Sequence, residues 1–598
     1  MTKNILIAIA WPYANAEIHV GNLTGSHLSG DIIARYHRLK GRNVAMVSGT
    51  DSHGTPVTLR AEDEGTTPEK VYKRFHEGFL ELFQQIGISY DIFTTTHTEN
   101  HHKVAQTIFL ALKENGYLYP KKSMQWFSPE ANRFLPDRYV EGTCYICGQD
   151  GARSDQCDAC GNVLEPAKLK NPHAKSGDTL ELRETEHFYL DLSKLEPKVA
   201  DFLRERSAHM RDTVLGESLN KIESQGLLPR PITRDLDWGI PVPVEGEDWA
   251  GKCLYVWFEA VIGYLSAPIE LSQINETPDA WQDWWTNPDA HQLHFIGKDN
   301  IFFHTALWPA ELMGAGTAFM QKFTGEEKKL TLPYDVPANQ FMNLEGQKIS
   351  GSKNWAVWGR DALTRYDPDA LRYYLTVNMP ESKDSDWDWE FFLAHNNNEL
   401  VANWGNLANR VLSFCYKHWD GKVPDVDVST LRESDLSLLT AMEAGFASVG
   451  DLLEAVKIRA ALNEAMRLAT EVNKYLDTSA PWKELKVDKE EAGKTVYTAL
   501  KAIDSLKIIF APFLPFTSEK LNQIFGYENP LFGEQFVETV EDALGEHTVL
   551  RYRGRGGSET HPYWKVSELK PGAAFNKPEP LFKKLDKEII EEERARLG

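Results

Sequence analysis

The runs ILIAIA (5–10) and VAMVSG (44–49), separated by LTGSHLSGDIIARYHRLKG (23–41), decide the fold. Both runs are short and apolar, and the segment between them spaces Leu23, Leu28, Ile32, Ile33, Tyr36 and Leu39 along one face of a helix. Strand, helix and strand in that order make a βαβ unit, whose natural outcome is a parallel sheet. A second set of such signals stands far downstream: LYVWFEAVIGYL at 254–265 and LHFIGKDN at 293–300, followed by the helical FFHTALWPAEL. A nucleotide-binding sheet is therefore expected in two halves, 1–116 and 233–345. The insertion between them, 117–232, holds four of the six cysteines and ends in LLPRPITRD.

From 396 the texture changes. NNNELVANWGNLANRVLSFCYKHW, SDLSLLTAMEAGFASVGDLLEAVKIRAALNEAMRLATEVNKYL and KTVYTALKAIDSLKIIFAPFLPF carry long amphipathic patterns, which predict a helical bundle over 396–555 after a connecting region at 346–395. The tail, 556–598, is rich in Gly, Pro and Lys and is expected to wrap the surface or fray.

At roughly 100 to 200 residues per domain, 598 residues imply three to five domains. Hydrophobic residues at 42% and charged residues at 25% are ordinary globular usage, enough for several cores and incompatible with wholesale disorder. The balance of Lys+Arg 65 against Asp+Glu 87, a net charge of −22, argues against coating nucleic acid or anionic lipid nonspecifically, though it leaves room for a local basic groove. The N-terminus has no basic region or small-residue cleavage site, and no apolar stretch approaches the ~20 residues that span a bilayer. A cytoplasmic protein without a membrane partner is expected, in keeping with a mean hydropathy of −0.42.

Three constellations carry chemistry. Pro12-Tyr13-Ala14-Asn15 leads into His19-Val20-Gly21-Asn22 between the first strand and the first helix, where an open α/β sheet binds ligands and a histidine can donate to phosphate. A plain helix-capping turn is the competing reading. Gly49-Thr50-Asp51-Ser52-His53-Gly54-Thr55 follows the second strand, and its carboxylate can hold an ammonium or a ribose hydroxyl, or merely cap a helix. Lys348-Ile349-Ser350-Gly351-Ser352-Lys353 sets two lysines and two hydroxyls on a Gly-rich loop able to clamp a leaving pyrophosphate, although solvated loops of this composition are common. Cys144-x-x-Cys147 and Cys157-x-x-Cys160, with Gly148 and Gly161 adjacent, have the spacing of a closed tetrahedral Zn²⁺ site, with a redox CxxC as the rival. The histidine-rich HTENHH at 97–102 is taken as a solvated helix start rather than a metal site.

Together these residues resemble a class I aminoacyl-tRNA synthetase, with HVGN (19–22) and KISGS (348–352) standing for its two signatures. PYAN, GTDSHGT, the CxxC pairs, RDLDWGIPVP (234–243), YVWFEAVIGY (255–264), FIGKDNIFFHTALWP (295–309) and NLANR (406–410) narrow the resemblance to the methionyl-tRNA synthetase family, in order from about residue 5 to 590. The resemblance implies an α/β fold: a Rossmann-type parallel sheet split by a zinc-binding insertion and followed by an α-helical anticodon-binding bundle. It departs from the family pattern at Asn22 and Gly351, where many members carry His and Lys, and at Trp11 and Val261 beside the methionine pocket.

The resemblance also implies roles. ATP, arriving with Mg²⁺, is expected against His19, Gly21, Asn22, Lys298, Asp299, Lys348, Ser350 and Ser352, with Lys353 and Arg234 adding charge near the pyrophosphate. L-Methionine is expected among Trp11, Tyr13, Trp257, Ala260, Tyr264 and His304, with Trp308 nearby and Asp51 on its α-ammonium; ordinary core packing is the alternative for each aromatic. Asn406, Arg410 and Trp482 align with positions that read the anticodon of tRNA(Met), where a solvated helix face and a loop anchor are the alternatives. One structural zinc on Cys144, Cys147, Cys157 and Cys160 and a monomeric state complete the expectation. The rivals are a class I synthetase for another residue, a small nucleotidyltransferase, and a non-enzymatic tRNA-binding or zinc-scaffold protein.

Overall fold

The computed structural model describes residues 4–157, 159–160, 164–554 and 563–598; Gly161 and the first residues of the tail lie outside them. Strand β1 (Asn4–Ile9), helix α1 (Leu28–Leu39), β2 (Asn43–Thr50), β3 (Ile92–Thr95) and α2 (Glu99–Glu114) make the first half of the sheet. An insertion follows, built on the long antiparallel pair β4 (Leu118–Ser128) and β5 (Glu181–Leu190). The second half supplies α3 (Val256–Ile274), β6 (His291–Gly297), α4 (Trp308–Phe323) and β7 (Ala338–Asn339). Of the second set of strand signals only 291–297 is a strand. The run at 254–265 opens α3, whose residues are buried nearly all round, so that it lacks the polar face by which periodicity separates a helix from a buried strand.

A linking helix α5 (Pro368–Val377) leads to the bundle of α6 (Asn406–His418), α7 (Glu433–Glu454), α8 (Ile458–Ser479) and α9 (Lys489–Phe510), in which α7, α8 and α9 pack on one another. By length and composition α7 could cross a membrane, contrary to the sequence expectation; here it buries Leu438, Met442, Phe446, Val449 and Leu453 against its neighbours. A second correction concerns the end of the predicted bundle. The hairpin β8 (Glu534–Asp542) and β9 (Gly545–Arg553) leaves the helices and pairs antiparallel with β3, giving a seven-stranded sheet in the order β7-β6-β1-β2-β3-β9-β8. The described tail is anchored. Trp564 stands edge-on to Tyr36 at 5.0 Å and donates to the Phe446 carbonyl, Glu593 is buried against Arg365 and Tyr366, and the Gly598 amide donates to the Asn354 carbonyl.

The first half of the sheet and the linking helix meet at Asp31 and Arg372, both completely buried. Arg372 donates to Asp31 at 2.6 Å and to the carbonyls of Ile86, Gly87, Pro512 and Phe513, so one guanidinium touches α1, the end of the helix Pro68–Ile86 and the turn after α9. Arg35 and the Ser89 amide and hydroxyl complete the shell around Asp31. Burial alone would raise the Asp31 pKa; Arg35, Arg372 and the Ser89 hydrogen bonds outweigh it and hold the group at about 2. Replacing Arg372 by Leu removes one partner of a buried pair and is expected to lower stability by roughly 3 to 5 kcal/mol in urea unfolding. A loss below about 1 kcal/mol, the worth of a surface pair, contradicts this.

Candidate active site

The strand order reverses at β1, which pairs in parallel with β2 on one side and with the sequence-distant β6 on the other, and a crevice opens at the carboxyl ends of these strands. A cavity of about 900 Å³ lies there, lined by the segments after β1 (Trp11, Tyr13, His19), β2 (Asp51), β6 (Lys298, Asp299, Asn300) and β7 (Phe341, Met342).

One wall is polar. A helix starts at Val20, passes through a π turn at Leu23–His27 and continues as α1. His19 caps it: Nδ1 accepts from the Gly21 and Asn22 amides at 3.1 and 3.3 Å, and Asn22 Oδ1 accepts from the His19 amide at 3.1 Å. Burial lowers the His19 pKa to about 4, so the ring is neutral with Nε2–H as its donor. The capping turn and the ligand-facing histidine are thus one arrangement. Gly21 has no room to spare, since a Cβ there would meet the His19 ring at 3.0 Å. Lys348 and Ile349 close this wall, with Lys348 Nζ 5.5 Å from the Phe341 ring. Lys298 is paired with Asp384 at 2.6 Å, and burial holds Asp299 above the usual carboxylate range against the pull of Lys348 and Lys298.

The opposite wall is aromatic. Trp257 stacks on Phe303 at 4.1 Å and meets Tyr13 edge-on at 6.0 Å. Tyr264 donates from its hydroxyl to His304 Nε2 at 2.7 Å, because His304 Nδ1–H is given to the Asn300 carbonyl at 2.9 Å. Burial lowers the His304 pKa to about 4, so this pair is a neutral lining suited to an uncharged, polarisable group. Trp11 occupies the space that a side chain on Gly49 or Gly263 would fill, at 2.2 and 2.6 Å from the respective Cβ positions. Ala260 and Val261 complete this side. Trp308 stands behind Tyr264 at 6.5 Å and outside the cavity lining.

Asp51 sits between the walls, 3% exposed, with one carboxylate oxygen lacking any partner among the described residues. Burial and then the charge of Glu259 push its pKa well up, despite the His53 amide. Glu259 is itself fully buried and accepts from His53 Nδ1 at 2.8 Å and His101 Nε2 at 2.7 Å. This network corrects the reading of HTENHH: the segment does begin α2, with Thr98 as cap, but His101 is 1% exposed and the cluster faces inward against α3. Its signal was in the sequence, as an acidic residue inside an apolar helix and paired histidines elsewhere.

Several predicted residues stand apart. Arg234 is buried against the insertion, donating to Asp137 at 2.9 Å and to the Pro231 and Thr233 carbonyls with its plane over Tyr255, so it is saturated and does not face the cavity. Ser350 and Ser352 contact each other at 3.3 Å, and Lys353 is exposed at the end of a tight turn beyond the lining. That turn is tied to the tail through Asn354, which explains why Lys353 does not swing inward. At Gly351 a Cβ would lie 3.0 Å from Trp358, a ring that fills this corner beside His19. Sequence reasoning missed Phe303, Trp358 and the cations Arg138, Lys221 and Arg230, which line the cavity.

Two further groups lie outside the cavity. The four sulfurs of Cys144, Cys147, Cys157 and Cys160 all stand within 4.8 Å of one another, with Cys147–Cys157 at 3.7 Å and Cys144–Cys160 at 4.0 Å. A Zn²⁺ with bonds of about 2.3 Å in a tetrahedron requires sulfurs about 3.8 Å apart, whereas a disulfide requires about 2.05 Å, so the donor set fits zinc. In the bundle, the Arg410 guanidinium lies 4.9 Å over the Trp482 ring, and Asn406 is exposed one helical turn earlier on α6.

Residues 5–412 match the family model of tRNA synthetases class I (M), and 423–549 match that of the anticodon binding domain of methionyl tRNA ligase. The methionine–tRNA ligase of Thermomicrobium roseum is 49% identical over 100% of this chain and 99% of its own length; that of Roseiflexus castenholzii is 48% identical with the same coverage. Among solved structures, Mycobacterium tuberculosis methionyl-tRNA synthetase bound by methionyl-adenylate has the same fold, with a TM-score of 0.75 at 23% identity, covering 98% of this chain and 100% of that one.

An unpartnered buried carboxylate predicts a cost to folding. Asp51→Asn is expected to stabilise the ligand-free protein by roughly 1 kcal/mol at neutral pH. Since the folded pKa is raised, the gain is absent below about pH 4, where Asp51 is protonated in both states, and grows as pH rises above it. Thermal unfolding between pH 4 and 8 checks this; equal effects at both ends contradict it.

Proposed function

The chain belongs to the methionine–tRNA ligase family of class I tRNA synthetases, and from that premise we propose a role for each wall of its cavity. It activates methionine with ATP, giving methionyl-adenylate and pyrophosphate, and transfers the methionyl group to tRNA. The observation that carries the assignment of residues is the juxtaposition, in one cavity, of a neutral-histidine helix start, an aromatic lining and a buried carboxylate with a free oxygen.

Methionine lies with its thioether against Trp257, Tyr264 and His304 and its α-ammonium on Asp51, whose missing counter-charge it supplies. Its carboxylate attacks the α-phosphorus of ATP and pyrophosphate departs. No protein nucleophile is needed, so catalysis rests on positioning and on charge. His19 Nε2–H and the side-chain amide of Asn22 hold the phosphates, and Lys348 meets the leaving charge. The exposed Lys353 and the saturated Arg234 take no part in this reading. Arg138, Lys221 and Arg230 supply the remaining positive charge. ATP enters with Mg²⁺, which neutralises phosphate charge. Cys144, Cys147, Cys157 and Cys160 hold one structural Zn²⁺ that fixes the knuckle of the insertion.

In the second step a hydroxyl of the terminal adenosine attacks the activated carbonyl and AMP leaves. Trp482, Arg410 and Asn406 contact the anticodon of tRNA(Met), the indole by stacking and the other two by hydrogen bonds to base edges. The chain carries both sites itself and works as a cytoplasmic monomer.

ATP/pyrophosphate exchange, run with each amino acid in turn, tests the reading. Exchange is expected with methionine. Lys348→Ala is expected to lower its rate by at least tenfold with little change in ATP affinity, since the lysine meets charge that develops on leaving. Trp482→Ala is expected to leave exchange intact and to weaken tRNA charging by roughly 1 to 3 kcal/mol. Exchange driven by another amino acid, or a Trp482 variant that loses both activities equally, contradicts it.

A further inference from the structure

Behind Asp51, on the side of Glu259 away from the cavity, three imidazoles face one another. The ring centroids of His53, His97 and His102 stand 5.3, 5.4 and 5.6 Å apart, a nearly equilateral triangle drawn from the loop after β2 and the start of α2. Each offers one ring nitrogen within 4.8 Å of the other two. For a tetrahedral ion with metal–nitrogen bonds of about 2.1 Å, ring centres fall roughly 5.2 Å apart, so the spacing of the rings is already that of a three-histidine shell.

The hydrogen bonding agrees. His53 gives Nδ1–H to Glu259 at 2.8 Å, which leaves Nε2 as a lone pair. That lone pair meets His97 Nδ1 at 3.0 Å. His102 Nε2 is buried with no partner among the described residues, and leaving a buried polar atom unpaired carries a cost that a bound ion removes. Glu259 behind His53 is the carboxylate–histidine pairing that orients metal ligands, and His101 holds the other Glu259 oxygen. Charge points the same way. Asp51 and Glu259 are two buried carboxylates side by side, and among the described residues neither pairs with a lysine or arginine. Trp238 stacks on His97 at 4.6 Å and donates from its indole to the Ser52 carbonyl, shielding the cluster.

We propose that His53, His97 and His102 form a second metal site, separate from the four cysteines, that binds a divalent ion favouring imidazole, with Zn²⁺ the best fit. Three nitrogen ligands exclude the oxygen-seeking Mg²⁺ and Ca²⁺. The fourth position is left to water. By joining the loop after β2 to α2, and through Glu259 to α3, the ion stiffens the frame behind Asp51.

The test uses the full, untagged chain dialysed to equilibrium against micromolar free Zn²⁺, with metal measured by elemental analysis. Wild type is expected to hold two equivalents. His102→Ala and His97→Ala are each expected to hold one, and Cys147→Ala to keep the histidine-bound one. Melting of the His102 variant should lose the rise that wild type shows as the second equivalent binds. Saturation of wild type at one equivalent, or a second equivalent retained by both histidine variants, overturns the site and leaves a hydrogen-bonded histidine cluster that only positions Glu259. Because the readout is metal content, its failure leaves the assignment of the cavity untouched.

Discussion

A charge that no water reaches must find its partners inside the protein, and the ion pair between Asp31 and Arg372 obeys that constraint at the point where the first half of the sheet, the linking helix and the bundle meet. Asp31 comes from the first crossover helix, Ser89 from the turn before β3, Arg372 from the linking helix, and the accepting carbonyls at 512 and 513 from the end of the bundle. A shift of any of these elements would strand a buried donor or acceptor, at a cost of several kcal/mol. The pair therefore sets the position of the bundle on the sheet more than it adds net stability. The hairpin β8–β9 on the sheet edge and the tail's contact with Asn354 reinforce the same placement.

Held on that frame, the cavity is incomplete in ways that substrate completes. Asp51 has an oxygen without a partner among the described residues, the His19 ring has spent its lone pair on the helix start and keeps only a donor, and Tyr264 and His304 satisfy each other without charge. In the proposed reading, a cation, a phosphate and a thioether are what these three environments receive. Such sites cost stability in the empty protein and return it as binding energy used at the reacting atoms.

Much of this was legible in the sequence because local pattern and chemistry coincided. The βαβ spacing at 5–49 announces the parallel sheet, and the glycines beside His19 and Asp51 announce close backbone approach. What could not be read depended on tertiary partners. The run at 254–265 is buried on all sides, so no polar face revealed a helix. The strands at 534–553 have the alternation of a hairpin, but their docking on β3 is a matter of edge pairing that one sequence does not express. Arg234 and Lys353 share a residue type with the cations that line the cavity and differ only in what surrounds them: Asp137 saturates one, and a turn tied to the tail turns the other outward. The absent lysine at Gly351 finds its reason in Trp358, a contact between positions whose partnership no spacing rule foretells.

The central claim is that one buried ion pair keeps the activation cavity and the anticodon-facing helices in register. The most direct measurement compares methionine activation with methionine transfer to tRNA in Arg372→Gln, under conditions where the variant remains folded. A register role predicts that activation stays within a factor of about two while transfer falls at least tenfold, the difference corresponding to roughly 1 kcal/mol of lost coupling between the two parts. Parallel loss of both activities, or transfer at the wild-type rate, would contradict it.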